Sequence, residues 1–382
     1  MLGGMEQSWF AIAGKNEALT ELELQAQMAF LGGSSLLRVT DSVFQIKGPL
    51  PNNQLLDRLG SVVKAGRIVE LCQKSQWEKV LAQLAERTVE PRIDFGLSMY
   101  GPNVPHKSVE RLSLQIKKTL RQSGKAVRAL FDQKEPVLSA VVVQKQLLDK
   151  RGQELVLIPA QDEWLIGVGT WVHPFEAWSR REYDKEMVDT ERGMLPHKLA
   201  RIMLNVTGLD LGPEVTVYDP FCGVGTVLIE AKELGCAILG SDNDPKAVQA
   251  SIQNLHLPLQ TDLIWQGDSR STSLPKITTK HLAIVTEPYL GPVWPHAPNH
   301  AEKDRVITEL TVLYRVSLAH WRAHIPKGAP IVMVCPVIFG SATWPKLVDG
   351  LSQLAYSVSY GPVRYKREDQ LVERDIVKLV AR

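Results

Sequence analysis

The sequence predicts an α/β chain. Its C-terminal half reads as a doubly wound, mostly parallel sheet with an antiparallel edge hairpin, and an α+β region precedes it. Three observations carry this expectation. From about residue 194 onward, short apolar runs alternate with segments of helical periodicity. The run Val215 to Tyr218 passes through Asp219-Pro220-Phe221-Cys222-Gly223-Val224-Gly225-Thr226 into a helix-patterned segment, Thr226 to Leu234. The chain then closes on two alternating stretches, Ser357 to Tyr365 and Arg374 to Val380, that read as a hairpin.

Size and composition narrow the class. At 382 residues the chain is long enough for two or three domains, and 44% apolar with 23% charged residues is ordinary for a globular protein. No apolar run is long enough to span a bilayer, and no basic segment followed by an apolar one reads as a secretory signal, so no membrane role is expected. Cys72, Cys222, Cys236 and Cys335 are scattered without a CxxC pair, which predicts no metal site and fits a reducing, cytoplasmic location. The net charge of +2 excludes a uniformly basic nucleic-acid binder, so any such contact must come from a local patch.

Taken in order, the elements fall into four spans. Residues 1–88 read as a small ferredoxin-like α+β unit. It has a strand at Trp9 to Ala13, a helix over Glu21 to Leu31 capped by Thr20 and Glu23, a helix from Asn53 to Val63, and a strand at Ile68 to Leu71. Residues 89–175 hold an alternating strand, Asp94 to Met99, and a helix, Lys107 to Ser123, closed by Gly124. In that helix Val109, Leu112, Ile116 and Leu120 recur at spacings of three and four, which predicts the buried stripe. Strands follow at Ala126 to Phe131, Glu154 to Pro159 and Trp164 to Trp171. Residues 176–193 form a charged linker, and residues 194–382 the α/β sheet domain.

Two sequence features carry chemistry. The first is the glycine turn together with Asp242-Asn243, sixteen residues beyond Thr226 at the end of the next strand-like run. Glycines let backbone approach a ligand, and an acid at a second strand end suits a ribose diol. The third glycine of a dinucleotide fingerprint is replaced by Leu228, and no lysine precedes Thr226 as a P-loop requires. The pattern instead resembles motif I of S-adenosylmethionine (SAM) methyltransferases. That resemblance implies a SAM site built from Asp219, Pro220, Phe221, Gly223, Gly225, Thr226, Asp242 and Asn243. It also implies Asp268 and Ser269 after a third strand, where a carboxylate suits the adenine amino group. The second feature is a basic helix face. Lys107, Arg111, Lys117, Lys118, Arg121, Lys125 and Arg128 stand against a single acid, Glu110. Such an excess is either a solvated surface or a phosphate contact. The layout of this block, with Ser139 to Val143 ahead of Lys145, Lys150 and Arg151, resembles a THUMP domain, an RNA-binding unit attached to tRNA-modifying enzymes.

Assembled, the chain resembles the THUMP-containing tRNA guanosine 2-amino methyltransferases of the guanosine-10 type, over nearly its whole length. Further carriers are Met194-Leu195-Pro196 with Lys198-Leu199-Ala200-Arg201, Gly240-Ser241-Asp242, and the terminal Gln370-Leu371-Val372-Glu373-Arg374-Asp375. The resemblance implies tRNA as substrate, a cytoplasmic enzyme, no catalytic metal, and in some members a small activator subunit. Enzymes of this class carry Asp/Asn-Pro-Pro-Tyr/Phe after the fourth strand. An exocyclic amine is a poor nucleophile until acceptors for its two N–H groups draw its lone pair out of the ring, and the aromatic residue stacks on the extruded base. Here the loop reads Thr286-Glu287-Pro288-Tyr289. Proline and tyrosine fit, but the acid is Thr286 and the first proline Glu287. Three expectations stay open: Glu287 supplies the carboxylate one position late, Thr286 accepts a single hydrogen bond, or the chain binds without transferring. Ribosomal RNA or a DNA amino group are alternative substrates of the same chemistry.

Overall fold

The computed structural model describes residues 7–73, 92–122, 124, 126–160, 163–183, 187, 194–294, 296–367 and 371–382. The chain divides into two compact units, Met1–Asp57 with Ser61–Pro174, and Arg58–Gly60 with Phe175–Arg382.

The first unit is built on β1 (Ser8–Ala13), α1 (Glu17–Gln27), β2 (Ser35–Arg38), β3 (Val43–Lys47), α2 (Asn53–Leu56) and β4 (Val62–Gln73). β5 (Arg92–Met99), α3 (His106–Gln122), β6 (Ala126–Leu130), β7 (Gln153–Ala160) and β8 (Glu163–Val172) complete it. The first four strands lie in the order β2-β3-β1-β4, the arrangement of a ferredoxin-like unit. β4 then pairs with β8, and the sheet continues through β7, β5 and β6. One eight-stranded sheet therefore runs through both N-terminal spans, and the expected boundary at 88/89 falls inside a single compact unit. A buried ion pair ties three of these strands together. Lys64 of β4 donates to Glu154 of β7 at 2.6 Å, and Ser98 of β5 donates to the same oxygen at 2.6 Å.

Two N-terminal expectations are corrected. The cap of α1 is Asn16, whose side chain accepts from the Leu19 amide at 3.0 Å. Thr20 and Glu23 lie inside the helix and are fully buried, Glu23 accepting from the amide and hydroxyl of Ser61. The helix expected over 53–63 is a single turn, because β-branched Val62 and Val63 begin β4. By contrast α3 buries Val109, Leu112, Ile116 and Leu120 as its spacing predicts, packed on Ile93, Phe95 and Leu97.

The second unit contains α4 (Phe175–Tyr183), α5 (His197–Val206), β9 (Val215–Asp219), α6 (Thr226–Glu233), β10 (Ala237–Asp242), α7 (Pro245–Asn254), β11 (Ile264–Gln266), β12 (His281–Thr286), α8 (His300–Arg322), β13 (Pro330–Ile338), β14 (Ser341–Ala342), α9 (Trp344–Val348), β15 (Tyr356–Tyr365) and β16 (Val372–Ala381). α4 occupies the start of the span expected to be a linker. The strand order is β11-β10-β9-β12-β13-β16-β15. The first five strands are parallel, while β16 runs antiparallel to β13 and to β15. The hairpin thus adds two antiparallel strands, with its return strand inside. The chain winds outward from β9 to β11 and then crosses back to β12, so the topological switch point lies between β9 and β12. Open sheets of this kind bind ligands at the carboxyl ends of the strands at that point.

Candidate active site

Asp219 ends β9 and Thr286 ends β12, so the switch point is bordered by these two side chains. They meet. The Thr286 hydroxyl donates to Asp219 Oδ1 at 2.6 Å, and the Phe221 amide donates to the same oxygen at 3.1 Å. Asp219 is 2% exposed. Burial pushes its carboxyl up to about 7; the two hydrogen bonds pull down, and the charges of Asp242 and Glu287 push further up.

The glycine turn follows. Gly223 and Gly225 have φ of +50° and +88°, and a Cβ on Gly225 would lie 2.6 Å from Ser251 Oγ of α7. Gly225 is thus required by backbone conformation and by space alike. The Gly223 amide donates to Asp242 Oδ2 at 2.9 Å, and the Asp244 amide to Oδ1 at 3.0 Å. The turn and the acid of the second strand are therefore one hydrogen-bonded assembly. Asn243 is exposed, and its carbonyl accepts from Gln266 at 3.1 Å. Thr226 is buried at the start of α6. Cys222 is buried with its thiol pushed well up by burial, which suits a small filler and not a nucleophile.

Two expected residues stand differently. Arg270 grips Asp268 through its Nε at 2.9 Å and its terminal nitrogen at 2.6 Å, and holds the carboxyl below the usual range. Any ligand at Asp268 shares it with Arg270. Ser269 is turned into the core, where its hydroxyl meets Ser317 at 2.9 Å and its carbonyl accepts the Trp321 indole N–H at 3.0 Å. Its side chain anchors α8 and offers no open hydroxyl.

In the loop after β12, Thr286 is fully buried, Pro288 is buried and Tyr289 is 47% exposed. The Tyr289 carbonyl accepts from the buried Tyr314 hydroxyl at 2.6 Å, and Trp294 packs edge-on to Phe339 with ring centres 6.2 Å apart. Glu287 takes a hydrogen bond at 2.5 Å from Nε of Arg374, a residue of β16 that is 3% exposed overall. No periodicity or spacing announced that partner. Arg364 of β15 pairs with Asp375 and Glu373, and Lys366 with Glu373. Among the described residues no His, Cys, Asp or Glu group could hold a metal ion, and no helix is long and apolar enough to cross a membrane.

In the first unit Lys107, Arg111, Lys118 and Arg121 are exposed on α3 and Lys117 is half-buried, while Lys125 lies outside the described residues. Lys117, Lys118 and Arg121 line a shallow hollow with Leu114 and Gln122. Arg128 faces Asp94 at 3.7 Å and Gln146 at 3.0 Å instead of joining that surface.

Comparison with known proteins agrees with this geometry. Residues 185–293 match the family of RMKL-like methyltransferase domains. The chain is 33% identical over 145 residues to the tRNA (guanine(10)-N2)-dimethyltransferase of Methanothermobacter thermautotrophicus, covering 38% of this chain and 39% of that protein. It is also 33% identical over 100 residues to the probable enzyme of the same name from Methanothermococcus thermolithotrophicus, covering 25% of this chain and 60% of that protein. The chain therefore spans less than two thirds of either relative. The whole fold is similar to TrmN from Thermus thermophilus, with a TM-score of 0.52, 16% identity, and coverage of 98% of this chain and 100% of that one. A protein described as a methyltransferase and solved in complex with SAH covers 99% of both chains, at a TM-score of 0.50 and 12% identity. Residues 185–293, which carry the glycine turn bound to its acid, thus match a methyltransferase domain of the RMKL-like family.

Proposed function

We propose that the chain transfers methyl groups from SAM to the exocyclic 2-amino group of a guanosine in tRNA, of the position-10 type. The observation that carries this reading is the group of acceptors where β9 and β12 diverge: Asp219 bonded to Thr286, with Glu287 next in the chain. Two acids, Asp219 and Glu287, lie close enough there for charge to couple them, and a nucleophile that needs its N–H bonds accepted is the chemistry they suit. The two curated relatives, both named for the guanine-10 amino group, support the substrate.

The residues fit SAM. Gly223 and Gly225 hold the turn at positive φ, which keeps its backbone bare, and Asp242, whose carboxylate suits a ribose diol, is fixed by two amides. Asp219, Pro220, Phe221, Gly223, Thr226 and Asn243 would complete the SAM site, with Asp268 shared with Arg270. When bound, SAM supplies an electrophilic methyl whose sulfonium charge disappears on transfer. The protein's part is to orient the amine and exclude water. Thr286 is fully buried, with its hydroxyl turned onto Asp219 and away from any incoming base. Glu287 is therefore the better acceptor: its Oε1 is held by Arg374, and its Oε2 has no hydrogen bond among the described residues. Tyr289, half exposed and two residues on, would stack on a flipped base. The THUMP-like block would supply phosphate contacts through α3, and the four buried, unpaired cysteines fit a cytoplasmic enzyme.

The test is transfer from labelled SAM to unmodified tRNA, with nucleoside analysis of the product. Wild type is expected to form N2-methylguanosine, Glu287→Gln to lose roughly 10²-fold in rate, and Asp242→Ala to lose SAM binding. Transfer by the chain alone would show that no activator subunit is needed. SAM binding with transfer to ribosomal RNA only would overturn the substrate. The α3 face is tested separately. Lys117→Glu with Lys118→Glu is expected to weaken tRNA binding, and to flatten the slope of log affinity against log salt by about 1–2. An unchanged slope would remove those lysines from the interface.

A further inference from the structure

We infer that Arg374 is the positioning residue of the transfer step, acting through Glu287; this rests on the function proposed above. Three observations carry it. Arg374 lies on β16 and reaches across the intervening β13, where it sits opposite Pro336, to meet Glu287 at the carboxyl edge of β12. The contact joins a side chain that is 4% exposed to one that is 15% exposed, 87 residues apart in sequence. The acids on either side of Arg374 in the chain are engaged elsewhere, Glu373 by Arg364 and Lys366, and Asp375 by Arg364.

The geometry sets what Arg374 does. A carboxylate in the loop has several staggered orientations and only some present a lone pair to the amine. The Nε contact at 2.5 Å occupies Oε1 and fixes the plane of the group, leaving Oε2 as the acceptor. Asp219 on β9 and Tyr314 on α8 also feel the Glu287 charge, and Asp219 is of like sign. Without a cation the carboxylate would turn away from Asp219. Arg374 thus does for a displaced acid what the strand itself does for a residue at the end of β12: it gives the side chain one direction. This explains how a loop with glutamate in the second position can present an acceptor at all.

The test compares steady-state kinetics of wild type, Arg374→Met, Arg374→Lys and Glu287→Gln, and of each Arg374 variant combined with Glu287→Gln. Arg374→Met is expected to lower kcat by about 30- to 100-fold, with KM for SAM and for tRNA within about 3-fold. Arg374→Lys is expected to recover about 10-fold of that loss, since it returns charge without the fixed direction of Nε. In the Glu287→Gln background the same changes should alter kcat by less than about 3-fold. An equal loss in both backgrounds, or a rise in KM for SAM at constant kcat, would show a structural role and overturn the inference. If Arg374→Met does not melt cooperatively, the Arg374→Lys and Glu287→Gln pair decides by the same criterion. A wild type that methylates no tRNA overturns the functional reading and this inference with it. An active wild type with uncoupled Arg374 and Glu287 overturns the inference alone.

Discussion

Replacing Glu230 by alanine is expected to lower the stability of the C-terminal unit by about 3–5 kcal/mol. Glu230 of α6 is completely buried and takes three cationic or polar partners. His197 Nδ1 lies at 2.7 Å, Arg201 contacts it at 2.9 Å and 2.6 Å, and Arg181 at 3.1 Å. The two guanidinium groups also lie over the Trp178 ring, at 5.2 Å and 4.3 Å. Burial by itself would raise the Glu230 carboxyl, but the His197 hydrogen bond and the two arginine charges outweigh it and hold it low. An ionised carboxylate only accepts, so His197 presents Nδ1–H to it. Removing the carboxylate leaves two arginines without their shared counter-charge, Arg201 being only 4% exposed. The depressed carboxyl also sets a sign: its contribution is complete above the unfolded value near 4.3 and is lost as pH falls through the folded one. Urea unfolding at pH 7, followed by circular dichroism, measures the loss. Glu230→Gln keeps one acceptor and should fall between. A change under about 1 kcal/mol for Glu230→Ala would show that the carboxylate is no hub. The same network joins α4, α5 and α6, and α6 begins at the glycine turn, so loosening it should reach the site.

Much of the second unit was legible because its information is local. The succession of strands and helices follows from the alternation of apolar runs and helical periodicity, and each acid of the site ends or follows its own strand directly. The hydrogen bond between Gly223 and Asp242 makes contact of two motifs that the sequence set a fixed distance apart. What was illegible depends on distant or competing partners. Arg374 finds Glu287 across 87 residues, and nothing in the spacing of either predicts it. Asp268 satisfies the local strand-end rule, yet Arg270 two residues later takes the carboxylate first. Ser269 has the same local context, but Ser317 and Trp321 of α8 draw it inward. At the N-terminus, Thr20 and Glu23 match a capping pattern that tertiary contact overrides, since Glu23 serves Ser61 instead of a helix end. Local rules place the backbone, and the long-range polar partners decide which side chains stay available to a ligand.

Asp219→Asn is expected to raise the stability of the ligand-free protein at pH 8 by on the order of 2–4 kcal/mol, while lowering methyl transfer at least about 10²-fold. The Asp219 carboxyl is held at about 7 in the folded state, against about 3.9 unfolded. Between these values the native state binds more protons than the unfolded one. The Asp219 contribution therefore makes stability fall as pH rises from about 4 to 7 and level off above. Asparagine keeps an oxygen to accept the Thr286 hydroxyl and the Phe221 amide, whose bonds at 2.6 Å and 3.1 Å both end on one atom. It carries no charge to desolvate and none to repel Asp242 and Glu287. Denaturation of wild type and variant at pH 5 and pH 8 separates the effect from general repacking: the two should be close at pH 5 and diverge at pH 8. Parallel curves would show that Asp219 is not protonated in the folded state and would withdraw the explanation. Divergence together with lost transfer would mean that the fold holds a destabilising acid at the β9–β12 switch point because the reaction there uses its charge.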